Sequence, residues 1–402
     1  MFPSDCRQNQ RRHLPNFRIT ILLNLVVAAT ITTVPCNGLS FHEPFHELPP
    51  VHRVAVVGGT HGNEYTGVWC IRTIDAQHKE MKAKYPSLEV ETILGNEEAH
   101  LANKRFIDTD LNREFKHDTL CSLLEDDEKK KSVVEEEAEP ASREARRARE
   151  LDAILGSKCD ADIRDEIDVA IDLHSTTANM GLTLIINEGD ELMTQGAAYV
   201  ARQCPEARIL MHSIPEREDR PTLSSAAKHG FTIEVGPIPQ GVIRHDIVLK
   251  TEGAMHALLD FFQRRNDGVD VQAELEQAYP DGHVPCFRTA PARRAGEISG
   301  KITWPCDPEN PNFPALMIHE TVQDKDFSLL KIGDPLFVAH DRSIVPYDGS
   351  HGDEVYVIFV NEAGYYYASS GTGIGVAITS YYDLYSGMLK EEEESVSYNQ
   401  NF

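Results

Sequence analysis

The chain has 402 residues, 41% of them hydrophobic, which is enough material for two domains with real cores. Its 39 Lys and Arg against 64 Asp and Glu give a formal net charge of −25, which excludes a nucleic-acid-binding protein, because phosphate backbones need a basic footprint. Much of the acid is concentrated in runs at 125–128, 135–137 and 391–394, which read as solvated segments rather than sites.

At the amino terminus, Arg7, Arg11, Arg12 and Arg18 precede an apolar stretch from Ile19 to Ala29, and the small residues Gly38 and Ser40 follow. A basic segment, an apolar segment short for a bilayer and a small-residue exit are the parts of a secretory signal. Residues 1–50 are therefore expected to be a leader with a signal peptide over about 1–40, directing the chain to the secretory pathway or the extracellular space. An uncleaved membrane anchor or a disordered extension is the alternative. Eight cysteines with no C-x-x-C spacing are compatible with buried thiols or, in an exported chain, with one or two disulfides that sequence cannot pair.

The first strong element is the apolar run Val54 to Val57, a strand ended by Gly58 and Gly59 that delivers His61 and, three residues on, Glu64. With Glu64 in the first turn of a following helix, the two side chains can converge on one point. Catalytic zinc takes three protein ligands and leaves a position open, so this pair would be two of the three. A solvated loop can carry the same pair. Next comes a loop-like stretch with Arg105, Asp108, Asp110, Asn112 and Arg113, in which the aspartates can orient the arginines. Residues 117–142 are charge-rich and free of glycine, and read as an acidic insertion. After it, Ala145, Ala148, Leu151, Ile154 and Leu155 recur at helical spacing until Gly156.

The segment Asp168 to His174 reads as a buried strand that brings His174 to its carboxyl end, before the turn Ser175-Thr176-Thr177. In open parallel sheets that edge is where sites are built, so His174 is the candidate third ligand, with Asp172 on the same face as a supporting carboxylate. Phe231 to Ile233 form a further strand that leads to Glu234 and ends at Gly236 and Pro237. Apolar neighbours would raise the proton affinity of the Glu234 carboxylate. A helical run at 258–262 leads to a domain junction over 264–268. From about 287 the pattern is turn-rich, with β pieces at 335–338, 355–360 and 374–378, which points to a smaller carboxy-terminal β domain.

Five blocks, GGTHGNEYTGV (58–68), RFIDTDLNREF (105–115), DLHSTTANMG (172–181), IEVGPIPQGVIRHDI (233–247) and VNEAGYY (360–366), resemble in the same order those of the aspartoacylase/aminoacylase-3 family. These are zinc-dependent amidohydrolases with a carboxypeptidase A-like fold. The resemblance implies an α/β architecture with a mixed sheet flanked by helices over 51–266, a mostly-β domain over 267–385 that caps the site, and an acidic tail over 386–402. It further implies one Zn²⁺ per chain held by His61, Glu64 and His174, with Glu234 as the proton-transferring carboxylate and Arg105 facing the scissile carbonyl. Asn112 and Arg113 match the pair that clamps the substrate carboxylate, and Tyr365 matches a tyrosine lent by the carboxy-terminal domain.

Two departures bear on this. Members selective for acetyl-aspartate carry an additional arginine about ten residues before the catalytic glutamate, and here that position is Ser224, with Arg217 and Arg220 nearby. Ser175 stands where asparagine is common, another small hydrogen-bonding group. The expected partner is a small N-acyl amino acid, hydrolysed to a carboxylate and a free amino acid. Homo-oligomerisation is left open, and the familiar family members are cytoplasmic. A carboxypeptidase-type peptidase with an open cleft and a non-catalytic zinc-binding protein on the same scaffold are the competing readings.

Overall fold

The run at 54–57 becomes strand β1 (Arg53–Gly58) in a computed structural model that describes residues 48–122, 141–159, 167–214, 216–307, 309–367 and 372–390. The expected signal peptide, residues 123–140 of the acidic insertion and the tail beyond 390 lie outside the described residues. Helices α1 (Tyr65–Ala76) and α2 (His78–Lys84), strand β2 (Glu89–Leu94) and helix α3 (Glu97–Leu101) follow. Helix α1 lies directly against β1: a Cβ on Gly58 would stand 2.3 Å from the carbonyl oxygen of Gly67. Only a glycine pair allows this approach, which fixes the start of α1 over the end of the strand.

Helix α4 (Arg143–Leu155) starts at Ser142, whose hydroxyl accepts from the Ala145 N–H, and ends at Gly156 with φ +142°. Ala145, Ala148, Leu151 and Leu155 are buried as the helical spacing predicts, whereas Ile154 is 47% exposed. Then come β3 (Val169–Ser175), β4 (Gly181–Asn187), α5 (Glu191–Gln203), β5 (Arg208–His212), β6 (His229–Gly236), the long α6 (His245–Asn266), α7 (Val271–Ala278) and β7 (His283–Thr289). The remaining strands are short, running from β8 (Lys301–Ile302), β9 (Cys306–Asp307), β10 (Asn310–Pro314) and β11 (Leu316–Ile318) to β12 (Leu329–Lys331), β13 (Pro335–Ala339) and β14 (Ile344–Pro346). Two longer ones, β15 (Glu354–Ile358) and β16 (Ile374–Asp383), close the order.

One mixed sheet of eleven strands runs through the described residues in the order β12-β15-β16-β7-β5-β4-β6-β3-β1-β2, with β8 beside β16. Strands β2, β1, β3 and β6 are parallel neighbours, β4 is antiparallel to β6, and β5 and β7 run parallel to β4. The residues of β3 are buried throughout, as a strand with both faces covered requires. By packing, α7, β7 and the end of β16 belong to the first core, together with α5 and α6, and a second core extends from Ala290 to Val376. The chain thus passes from one core to the other through strands of a shared sheet.

Candidate active site

The parallel strands β1, β3 and β6 end at the same edge, and their registers set the site. Gly58 pairs with Leu173, and His174 pairs with Glu234. Beyond β1 the chain turns so that Glu64 is the residue from which α1 starts, with its N–H donating to the His61 carbonyl at 3.0 Å. His61, Glu64 and His174, all buried, bring their ligand atoms within 4.8 Å of one another.

The orientation of both imidazoles is fixed from behind. His61 turns Nε2 to Asp110 (3.0 Å) and His174 turns Nε2 to Asp172 (2.8 Å), while each Nδ1 faces the Glu64 carboxylate at 2.6 and 3.1 Å. Asp172 is itself held by the Thr60 hydroxyl at 2.6 Å. An N–H donated outward at Nε2 leaves a lone pair inward at Nδ1, so two nitrogens and a carboxylate converge as lone pairs on one point. Such a set needs a positive charge in its midst. Burial pulls the His174 imidazole toward neutrality, but Asp172 and Glu64 outweigh it and raise its pKa well above 6.5. Burial pushes Glu64 up, and His61 and His174 reverse this to hold it below the ordinary carboxylate range. Two nitrogens and one oxygen in a closed pocket suit Zn²⁺ better than Ca²⁺ or Mg²⁺, which take oxygen ligands.

Glu234 sits beside this point. Burial, reinforced by Glu64 and Glu362, raises its pKa well above 4.5 against the opposing pull of His174 and Arg105. Arg105 is buried and bonded to Asp110 (Nη2, 3.2 Å) and Glu64 (Nη1, 3.2 Å), with Glu362 at 3.6 Å. Burial opposes its charge, but these three carboxylates keep its pKa above the ordinary value. The loop carrying it is fixed by Glu144 on α4, whose carboxylate accepts the N–H groups of Ile107, Asp108 and Thr109 at 2.7 to 3.1 Å. Of the two aspartates in that loop, Asp110 faces the site. Asp108 turns to Arg143 at the start of α4.

His61, Glu64, Arg105, His174, Glu234 and Glu362 line one cavity of about 240 Å³. Asn112 and Arg113 are on its wall; the Asn112 side chain accepts the Leu223 N–H at 2.8 Å, and Arg113 is exposed. Tyr365 also lines it, under Lys301, whose Nζ stands 3.6 Å from the ring centroid, and burial pushes the phenol up to about 12. Ser224 lines the wall, and so does Arg220. Arg217 turns away, donating to the carbonyls of Gly156, Ser225 and Ala226.

Two residues of the site, Glu362 and His212, escape the sequence reading, and of a third, Asp110, the sequence discloses only that it can orient an arginine. Asp110 is the partner of His61 as well as of Arg105, and its place two residues before Asn112 was the available signal. Glu362, next to the tyrosine motif, accepts from Thr176 Oγ1, Thr177 N (2.9 Å) and Gly364 N (2.8 Å) while facing Arg105. His212, at the end of β5, lines the cavity with its pKa pushed down to about 4 by burial and Arg113, and no motif marked it.

Residues 50–262 match the model of the succinylglutamate desuccinylase/aspartoacylase catalytic domain. The chain belongs to this family. Residues 297–372 match the family's barrel-sandwich hybrid domain, in agreement with the mixed α/β sheet and β-rich carboxy-terminal part seen here. Among curated relatives, the N-acyl-aromatic-L-amino acid amidohydrolase (carboxylate-forming) B of Danio rerio is 34% identical over 322 residues, covering 79% of this chain and 91% of that protein. The aspartoacylase of Xenopus tropicalis is likewise 34% identical, with 79% and 90% covered. The crystal structure of murine aminoacylase 3 superposes with a TM-score of 0.64 at 28% identity, covering 83% of this chain and 98% of that one.

Proposed function

We propose that the protein is a zinc-dependent deacylase that hydrolyses the amide bond of N-acyl amino acids to a carboxylate and a free amino acid. The observation that carries this reading is the convergence of His61, Glu64 and His174 beside Glu234 and Arg105 in one cavity. His61, Glu64 and His174 would hold Zn²⁺, which when bound would supply Lewis-acid polarisation of the acyl carbonyl and acidify water.

The protein's own groups perform the rest. The Glu234 carboxylate, desolvated and therefore proton-hungry, takes a proton from the attacking water and passes it to the amide nitrogen as the C–N bond breaks. Arg105, held by Asp110 and Glu362, faces the oxyanion with a fixed cation. Asn112 and Arg113 bind the substrate carboxylate, and Tyr365 closes the cavity over the acyl end. Phe359, Glu362 and Tyr365 on the wall, together with the cavity's volume, favour an amino-acid-sized substrate over a peptide. Ser224, small and neutral, leaves the side-chain end of the pocket without a guanidinium at that position.

The protein acts in an oxidising compartment outside the cytosol. Support comes from the leader-like amino terminus and from the disulfide Cys121–Cys159, a bond that cytosolic reductants rarely leave standing. Sequencing the amino terminus of protein from its own cells checks this, and an intact Met1 rules out cleavage. For the chemistry, the purified protein is assayed on a panel of N-acyl amino acids with zinc, after chelation, and as Glu234→Ala. Release of free amino acid only by the zinc-loaded parent is expected. Activity unaltered by chelation and by the substitution would sink the mechanism.

A further inference from the structure

Lys158, half-buried just past the end of α4, sends its Nζ inward to three neutral oxygens. They are the carbonyls of Phe115 (2.6 Å) and Arg220 (2.9 Å) and the hydroxyl of Ser225 (2.7 Å). The Ser225 hydroxyl donates onward to the Thr222 carbonyl at 2.6 Å, so it accepts from the lysine. Three N–H donors meet three acceptors, a match that only the protonated amine provides. Burial and the nearby Arg217 and Arg220 oppose that charge, and the pKa falls to about 7 despite Asp152.

The two segments joined at Nζ carry one side of the cavity. Phe115 follows Asn112 by three residues and Arg113 by two, and Arg220, Thr222 and Ser224 of the other segment line the cavity with them. The segments also bond directly, Phe115 N to the Pro221 carbonyl at 3.2 Å and Leu223 N to Asn112 at 2.8 Å. The backbone of Lys158 is fixed on both sides: its N–H donates to the Asp152 carboxylate at 3.0 and 3.1 Å, and the next residue, Cys159, is bonded to Cys121. Cys121 lies on the stretch that continues from Phe115. The disulfide therefore ties the lysine to the chain whose carbonyl it holds.

We infer that Lys158 is a positioning residue for the substrate-carboxylate side of the cavity, and that the Cys121–Cys159 disulfide keeps it in place. Lys158 does not line the cavity, so it acts through Asn112, Arg113 and Arg220. The inference rests on the deacylase reading for its kinetic arm and on ligand binding for the other.

The test uses the full-length zinc-loaded protein, Lys158→Met and the double variant Cys121→Ser/Cys159→Ser. Calorimetry in the Glu234→Ala background, where the substrate is not consumed, gives Kd for N-acetyl-aspartate and N-acetyl-phenylalanine, steady-state kinetics without that substitution gives KM and kcat, and urea gives the unfolding midpoint. Lys158→Met should raise Kd and KM about tenfold with kcat within about twofold, well inside the ~10²-fold that misplacement by about 1 Å can cost. The double variant should raise Kd and KM about threefold, a part of the same misplacement. A lowered unfolding midpoint with Kd and KM unchanged would show a purely structural lysine and overturn the inference. If Lys158→Met does not fold, the double variant decides alone, and unchanged Kd overturns it. Binding without hydrolysis in the parent would remove the deacylase reading and leave this inference standing on Kd.

Discussion

Glu362 reaches the site from the carboxy-terminal part of the chain, and replacing it by alanine measures what that reach is worth. Its Oε2 accepts from the hydroxyls of Thr176 and Thr177 and from Thr177 N, and its Oε1 accepts from Gly364 N and faces Arg105. The Thr177 hydroxyl already has the Asn361 carbonyl at 2.8 Å as an alternative, so that hydroxyl can re-pair. The buried Thr176 hydroxyl and Gly364 N–H lose the acceptor that Glu362 gives them. An unpaired buried donor costs about 1–3 kcal/mol, so two of them predict a loss of about 2–6 kcal/mol for Glu362→Ala. Glu362→Gln keeps one acceptor oxygen and should lose about half as much. Arg105 retains Asp110 and Glu64 but loses its third carboxylate, so kcat should fall more than KM rises. Urea unfolding at unchanged m measures the first effect and steady-state kinetics the second. Stability of Glu362→Ala within about 0.5 kcal/mol of the parent, as for a surface substitution, would refute the reasoning.

Other outcomes follow from the same geometry. Glu234→Gln should lower kcat by about 10²–10⁴ while zinc binding persists, and loss of the metal in that variant would argue for a ligand role instead. Because Glu234 must be deprotonated to accept the water's proton and its pKa is raised, kcat/KM should decline with acidification above the usual carboxylate range of about 4–5; an acid limb at or below that range would contradict the assignment. Asp172→Asn and Asp110→Asn should each weaken zinc about 10–100-fold in chelator competition, as loss of the carboxylate behind a ligating histidine does, and undiminished affinity would speak against the orientation described. Asp326, accepting the N–H groups of Asn179 and Val360 at 2.9 Å each, is raised by burial to about 6. Between its unfolded value near 4 and that value the folded chain binds the extra proton, so stability should fall as pH rises from about 4 to about 6, by at most about 3 kcal/mol. Asp326→Asn should flatten that slope in urea titrations at the two ends of the window, and a slope unchanged by the substitution would exclude Asp326 as its source.

The parts of this fold that the sequence discloses are those with a strong local period. Val54 to Val57, Asp168 to His174 and Phe231 to Ile233 are apolar runs whose strand character needs no partner to be recognised, and they lead to His61, His174 and Glu234. Helix α4 shows the limit: its spacing is legible, but Ile154 faces water because the buried stripe is set by the loop and strands beneath it. The reach of the sheet is not legible either. β7 pairs with β5 across a chain separation that no local pattern encodes, so the turn-rich carboxy-terminal sequence reads as a separate body although it extends the same sheet. In the site, ligand-type residues at characteristic spacings stand out, whereas Asp110, Glu362 and His212 gain their meaning from neighbours brought together only by folding. The choice between Arg217 and Arg220 has the same origin. Both lie in one short loop, and only the folded loop shows that one ties down α4 while the other lines the cavity.

The continuous sheet has a consequence for any attempt to divide the chain. A polypeptide ending at residue 262 would retain His61, Glu64, His174 and Glu234, yet it would leave β5 without the neighbour that β7 supplies. An uncovered strand edge of unpaired N–H and C=O groups is a template for self-association. The isolated amino-terminal part should therefore aggregate rather than survive as a weakened catalyst, and natural truncations in the second half of the chain should act through solubility before they act through chemistry.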